Sequence, residues 1–310
     1  MSPCKFDMFL ILYFKCFFSL SMNSKICNFK YTNVDEFNLN SNLASQLNQD
    51  SCISILQQNM QGMNDFTKFD DFSLFFLSEL QSSIDIIVLP ETWINNENEK
   101  YYNIPGFKQI NSSRVGRRGG GLIIFFQSKF DVEIIEKNNS QLSFQFIRIS
   151  IKLSQVERLR ICAVYRPPVA DMKEFRNFFE SVKENYARSV TIILGDINIA
   201  INKSNTIVTD YKNLLASSSF EVINTFKTRP ASEIILDHVI CYTSNFLEIT
   251  NSTIFNDISD HIPILSKFTI KSKKQKLKLS KNILNHTHFH QEFYRFLENL
   301  TLEADPKHTY

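Results

Sequence analysis

The chain's patterning predicts an α/β fold with helices laid outside β-sheets. Three observations point there. Short apolar runs recur at 52–57, 84–89, 121–126, 144–151, 159–164, 190–194, 234–240 and 262–270. Several of them, IDIIVL and VTIILG among them, are continuous rather than alternating, as in strands covered on both faces. Two segments between the runs have helical spacing instead: Phe69, Phe72, Phe76 and Leu80 in one, Phe175, Phe178, Phe179, Val182 and Tyr186 in the other. Helices interspersed among many strands imply layers, with the aromatic stripes facing a core.

Residues 1–50 are expected to be an extension outside the folded domain. They hold an apolar run, FLILYFKCFFSL at Phe9–Leu20, which Lys15 interrupts. It is shorter than the roughly 20 residues of a bilayer span, and it is only weakly like a secretory signal, without a strongly basic start or a clear small-residue cleavage site. The polar, Asn-rich stretch from Lys25 to Asp50 reads as a linker. The domain itself is expected over 51–270. CISILQ forms its first strand and leads toward Asn59, the Phe69–Leu80 helix follows, and IDIIVL delivers the chain to Pro90. Gly119, Gly120 and Gly121, three of only seven glycines, precede the next strand, where backbone needs positive φ or close approach. RICAVY ends at Tyr165, and Asp171 with Glu174 forms a capping box for the second helix. VTIILG then leads to Asp196, ILDHV carries Asp237, and 262–270 closes the domain. Past it, 271–310 reads as a basic linker and one C-terminal helix. Seven lysines and no acid lie between Ser266 and Lys281, a solvated stretch or a phosphate-backbone contact. Phe289, Phe293, Phe296, Leu297 and Leu300 mark the helix, and no internal repeat is visible.

Composition narrows the function. Lys and Arg number 34 against 32 Asp and Glu, which excludes a uniformly basic nucleic-acid wrapper but leaves room for a local basic groove. Apolar residues at 43% and charged residues at 21% suit a globular core rather than disorder. Six cysteines without a C-x-x-C pair do not make a disulfide scaffold and suit a reducing compartment.

Polar groups then appear at the end of one apolar run after another. Asn59 follows ISILQQ, Glu91 sits on the turn set by Pro90, and RICAVYRPP presents Tyr165 and Arg166. VTIILGDIN presents Asp196 and Asn198, ILDHV carries Asp237, and NDISDHIP carries Asp260 and His261. Singly each has a plain structural reading: Glu91 as a turn residue, Asp196 in an Asx-turn, Asp260 as a cap, Tyr165 as packing. Together, carboxylates at separate strand ends with Asn and His suit one hard divalent cation and a phosphate. Oxygen ligands favour Mg²⁺ or Mn²⁺ over Zn²⁺, and clustered like charges are costly without a cation. Of the pair Asp237 and His238, neighbours in a strand, only one faces such a site. Asp237 is the choice, which leaves His261 as the site's histidine. The HTHFH stretch at His286–His290 has no acidic or Cys partner nearby and reads as a solvated helix start. The GGG run lacks dinucleotide-binding spacing. It turns a loop beside Arg117 and Arg118, which are phosphate contacts or a solvated turn.

The ordered set Asn59, PETW with Glu91, GGG, VYRPP with Tyr165, GDIN with Asp196 and Asn198, LDH with Asp237 and SDH with Asp260 and His261 resembles the endonuclease/exonuclease/phosphatase superfamily, over Ser51 to about Ile270. The PETW, RRGGG, VYRPP and TRPASEIILDHV stretches are most similar to endonuclease domains of non-LTR retrotransposons. The departures are Ile197 where Phe is usual and KTR where PTR is frequent, the second blurring Thr228.

The resemblance implies a four-layer α/β/β/α sandwich of two mixed sheets, and a Mg²⁺-dependent DNA endonuclease (Mn²⁺ as a substitute) that nicks a target strand and leaves a 3′-hydroxyl. It implies Glu91 as chief metal ligand with Asp260 and Asn59, Asp196 steered by Asn198 for proton transfer, and His261 oriented by Asp237. Tyr165 would bond the phosphate, with Arg166, Thr228 and Ser259 on the substrate side. DNA is the implied partner, together with a reverse transcriptase domain absent from the chain. A monomer in nucleus or cytoplasm, without stable membrane association, is expected. Two alternatives stand beside this reading: another phosphoesterase of the same fold, acting on inositol phosphates, sphingomyelin or poly(A), and a catalytically silent DNA-binding retroelement fragment.

Overall fold

The computed structural model describes residues 28–31, 52–63, 66–95, 97–113, 119–138, 143–153, 158–186, 190–242, 245–254 and 256–270. The rest of the expected extension, Arg117 and Arg118, the lysines beyond Lys267, the HTHFH stretch and the C-terminal helix lie outside them. In chain order the strands are β1 (Asn28–Tyr31), β2 (Cys52–Gln57), β3 (Ile86–Pro90), β4 (Phe107–Ser112), β5 (Leu122–Gln127), β6 (Val132–Lys137) and β7 (Gln145–Lys152). They continue with β8 (Arg158–Tyr165), β9 (Val190–Asp196), β10 (Glu221–Val222), β11 (Asp237–Cys241), β12 (Phe246–Thr253) and β13 (Ile264–Ile270). Helices α1 (Phe66–Glu79), α2 (Met172–Tyr186) and α3 (Thr206–Ser217) lie between strands. None of the described helices is long and apolar enough to cross a membrane.

The strands form two mixed sheets, one of seven in the order β1-β12-β13-β2-β3-β5-β4, the other of six in the order β10-β11-β9-β8-β7-β6. Period-2 alternation divides each central strand between two cores. Ile53, Ile55, Ile86, Val88, Leu122 and Ile124 of the first sheet meet Ile147, Ile149, Ile161, Ile192, Leu194 and Val239 of the second in one buried cluster. The intervening Leu56, Ile87, Leu89, Ile123 and Phe125 face Phe69, Phe72 and Phe76 of α1. On the far side Cys162, Val164, Ile193 and Ile240 face Phe175, Phe179 and Val182 of α2 and Val208, Tyr211 and Leu215 of α3. The result is the α/β/β/α sandwich, and it explains the continuous apolar runs: both faces of each central strand are covered.

One unit occurs twice. In each sheet a βαβ crossover, β2-α1-β3 and β8-α2-β9, makes a parallel pair. Antiparallel strands flank each pair, β13 and β5 in one sheet, β7 and β11 in the other. No repeat is legible in the residues; the repetition is topological. The pairing directions bring the carboxyl ends of β2, β3, β8 and β9 and the starts of β11 and β13 to the same end of their sheets.

The helix start at Asp171 departs from the expected capping box. Asp171 Oδ1 accepts the N–H of Lys173 at 2.6 Å, but Glu174 reaches away, taking the Ser143 N–H and O–H at 2.8 and 2.7 Å. Strands β1, β4, β6, β10 and β12 and helix α3 were not in the sequence expectation; β1 lies within the stretch expected to be an extension, yet it pairs in parallel with β12 at the edge of the first sheet.

Candidate active site

Asp196 is built by the alternation of β9. Ile192 and Leu194 point into the inter-sheet core, so Asp196, two residues on, points the same way at the strand's end. The register lines up Gln145, Tyr165, Asp196 and Asp237 across β7, β8, β9 and β11. The row that is Ile and Leu deeper in the sheet is polar here. Gly195 permits the close strand approach, since its φ is +146° and a Cβ on it would lie 1.8 Å from the Val164 carbonyl oxygen.

Two amides hold the Asp196 carboxylate. Asn59 Nδ2 donates to Asp196 Oδ2 at 2.8 Å and to Glu91 Oε2 at 3.0 Å, while its Oδ1 accepts the Gln61 N–H. Asn198 Nδ2 donates to Oδ2 and its N–H to Oδ1, at 2.8 and 2.9 Å. The Asx-turn considered for GDIN is therefore real and fixes the carboxylate. Burial pushes the Asp196 carboxyl well above the usual carboxylate range; the charge of Asp237 raises it further, against the opposing pull of His261.

His261 is half of a second buried pair. Its Nδ1 lies 2.6 Å from Asp237 Oδ2, and its Nε2 lies 3.9 Å from Asp260 Oδ1. Burial alone would lower the imidazole pKa, but Asp237's charge and hydrogen bond outweigh it and raise the pKa to about 9. Nδ1–H therefore donates to Asp237 and Nε2–H is left for the site. His238, as expected, is on the opposite face of β11, buried against Tyr211.

Glu91 stands on a strained turn. Glu91 and Trp93 have φ of 55° and 58°, a conformation costing on the order of 1–2 kcal/mol each for L-residues. Four backbone bonds enforce it: Gly62 N–H to Glu91 O, Met63 N–H to Thr92 O, Thr92 N–H to Gly121 O and Trp93 N–H to Gly120 O, at 2.7–3.2 Å. This is the work of the GGG run. A Cβ at Gly121 would sit 2.5 Å from Thr92 Oγ1.

Three residues expected on the substrate side are engaged with protein instead. Arg166 is buried and donates to the carbonyls of Ala170 and Ile197 at 2.9 and 3.3 Å, tying its loop to the one carrying Asn198. Thr228 is buried, and its hydroxyl accepts the N–H groups of Leu236 and Asp237. Ser259 Oγ donates to Asn59 O at 2.6 Å and accepts the His261 N–H at 3.1 Å. All three position site residues in this geometry.

Arg229 escaped the sequence reading. Its Nε and Nη2 both reach Asp260 Oδ2, at 2.7 and 2.5 Å. Its place in TRP, beside Thr228, was the available signal. Gln58 was also missed; its side-chain amide pairs with that of Asn256 through two bonds, 2.7 and 3.0 Å, and braces the loop leading to His261.

The carboxylates here suit a divalent cation. Asp196, Asp237 and His261 bring polar atoms within 4.8 Å of one another, the one such group among the described residues, although the protonated His261 has no lone pair for a metal; Glu91 joins through Asn59 and Asp260 through His261. Asp237 Oδ1 and Asp260 Oδ1 are buried without hydrogen-bond partners, an arrangement that a cation would satisfy.

Solved structures share this fold. The endonuclease domain of TRAS1, a telomere-specific non-LTR retrotransposon, superposes with a TM-score of 0.58 at 14% identity, over 72% of this chain and 100% of that one. The AP endonuclease LMAP from Leishmania major gives 0.54 at 14% identity, over 71% and 88%. TDP2 from D. rerio, complexed with a single-strand DNA product, gives 0.52 at 14% identity, over 71% and 100%. No protein-family model and no curated protein matches the chain. The chain has the endonuclease/exonuclease/phosphatase fold.

Proposed function

We propose that the protein is a divalent-metal-dependent phosphodiesterase that nicks DNA by water attack and leaves a 3′-hydroxyl end. The observation that carries this reading is the pairing of a buried, three-point-held Asp196 with a protonated His261 backed by Asp237. Asp196, with its raised proton affinity, takes a proton from the attacking water. His261 donates Nε2–H to a non-bridging phosphate oxygen as charge develops there. The new P–O bond forms in line, the P–O3′ bond breaks, the leaving oxygen takes a proton from solvent to become the 3′-hydroxyl, and Asp196 returns its proton to solvent. Tyr165, in register with Asp196, contributes a phosphate contact. Glu91 and Asp260, the first oriented by Asn59, would hold a divalent cation (Mg²⁺, or Mn²⁺), which would supply Lewis-acid charge when bound. The likeness to the TRAS1 endonuclease domain supports DNA as substrate, and a 3′-hydroxyl suits primed synthesis by a reverse transcriptase partner.

The test is relaxation of supercoiled plasmid by the full chain in Mg²⁺ and in EDTA, beside Glu91→Ala. Nicking in Mg²⁺ alone, lost in the variant, is expected. A folded protein that binds Mg²⁺ and leaves the plasmid intact sinks the nuclease; release of phosphate from inositol phosphates by that protein would transfer the site to a sibling chemistry.

A further inference from the structure

The loops that leave Asn59 and Glu91 converge on an exposed pair of aromatic rings. Phe66 and Tyr101 are 44% and 60% exposed, although large aromatic side chains are mostly covered. Their rings meet edge to face, with centroids 5.9 Å apart and planes at 89°. The pair is firmly mounted. Phe66 stacks on the fully buried Tyr102 at 5.2 Å, and the Tyr102 hydroxyl donates to Met63 O at 2.6 Å. The short helical turn carrying Tyr101, Glu99–Tyr101, is held where Gln109 Nε2 donates to Glu99 O. Met63 in turn donates its backbone N–H to the carbonyl of Thr92, the neighbour of Glu91.

From Asn59, whose amide bridges Glu91 and Asp196, to Phe66 is seven residues, at most about 25 Å of chain. At about 3.4 Å per stacked nucleotide that upper bound corresponds to roughly seven nucleotides. Lys100 Nζ lies 5.1 Å from the Tyr101 ring centroid, a cation beside the aromatic face. Glu97 and Glu99 on the same turn disfavour a track of backbone phosphates there. The chemistry that fits is a flat, uncharged ring.

We propose that the corner formed by Phe66 and Tyr101 takes one unpaired nucleobase of the strand being cut, stacked on one ring and edge-on to the other, within about seven nucleotides of the scissile phosphate. The proposal rests on the nuclease reading. Aromatic platforms of this kind tolerate any base, because every base has a π face. The platform grips unstacked rather than duplex DNA near the cut.

The experiment uses full-length Asp196→Asn protein, with Ca²⁺ to avoid cleavage, and oligonucleotides carrying 2-aminopurine at successive positions beside a bulge. The fluorescence is expected to be quenched at one or two adjacent positions only. Tyr101→Ala should weaken binding about tenfold and abolish the quench, Tyr101→Trp should restore both, and the slope of affinity against salt should not change. Phe66→Ala/Tyr101→Ala should weaken binding further. In the otherwise wild-type enzyme, turnover of bis(p-nitrophenyl) phosphate, too short to reach the rings, should be unaffected by Tyr101→Ala. Binding without a quench at any position, or unchanged binding by Tyr101→Ala, overturns the platform while leaving the nuclease standing. No binding to any oligonucleotide, with no plasmid nicking by wild type, overturns both.

Discussion

His238 and His261 take opposite charge states from their surroundings. His238 is fully buried, with Nδ1 3.0 Å from the Tyr211 hydroxyl and Nε2 3.3 Å from Ile235 O. A carbonyl only accepts, so Nε2 carries the proton and Nδ1 accepts from Tyr211. Burial holds its pKa down at about 4. The folded pKa lies below the unfolded one, so the stability contribution is present above about 6.5 and is lost as pH falls through about 4. His238→Gln should remove the part of the melting-temperature profile that changes between those values; an unchanged profile would contradict the assignment. His261 works in the other direction. With a folded pKa raised to about 9, its contribution is full below about 6.5 and is lost as pH rises through about 9. Asp237→Asn removes the charge that does most to raise it and leaves at best a neutral amide oxygen as acceptor. The His261 pKa, read from imidazole proton shifts in metal-free protein, should then fall below 7, and nicking at pH 7.5 should drop about 10²-fold or more. A His261 that stays protonated at pH 8 in that variant would contradict this.

At the scale of elements, the loop between β3 and the Glu99–Tyr101 turn depends on a distant segment of the chain, through Thr92 N–H to Gly121 O and Trp93 N–H to Gly120 O. Gly121→Ala should leave the two sheets folded but disturb the Glu91 turn, because the added carbon meets Thr92. The expectation is unchanged far-UV dichroism with at least tenfold less nicking; wild-type nicking would show that the Glu91 turn absorbs the clash. Helices α1 and α2 were legible from their Phe stripes, since each stripe is one face at 3.6-residue spacing. Phe175→Ala in α2 should cost about 3–5 kcal/mol in urea unfolding, as removal of a buried ring does. Helix α3 was not read, because Ile207 at 50% exposure and the polar Asp210 and Lys212 obscure the stripe of Val208, Tyr211, Leu214 and Leu215. Strands β4 and β6 were missed because they are sheet edges with one neighbour each, and their residues alternate or lie open to solvent. Edge strands need no continuous apolar run.

The whole molecule places its site at the end of both sheets, where strand ends supply polar groups and the core below excludes water. Cation binding there should stabilise the fold by linkage. Melting temperature should rise with Mg²⁺ in wild type and rise less in Glu91→Ala; equal shifts would place the cation elsewhere. The positions of Asn59, Glu91 and Asp196 were legible because each stands where an apolar run stops, and strand periodicity chose Asp237, inside the 234–240 run, over His238. Those features are local, set by side-chain period and by backbone punctuation at Pro and Gly. The inward turn of Arg166, the Arg229 clamp on Asp260, the Gln58–Asn256 amide pair and the meeting of Phe66 with Tyr101 are different in kind. They join residues up to 198 apart in the chain, and no local pattern encodes which partner a hydrogen-bonding group will meet. Packing of the two sheets decided those contacts, because burial removes water as the alternative partner and leaves each polar group to the neighbours the topology supplies.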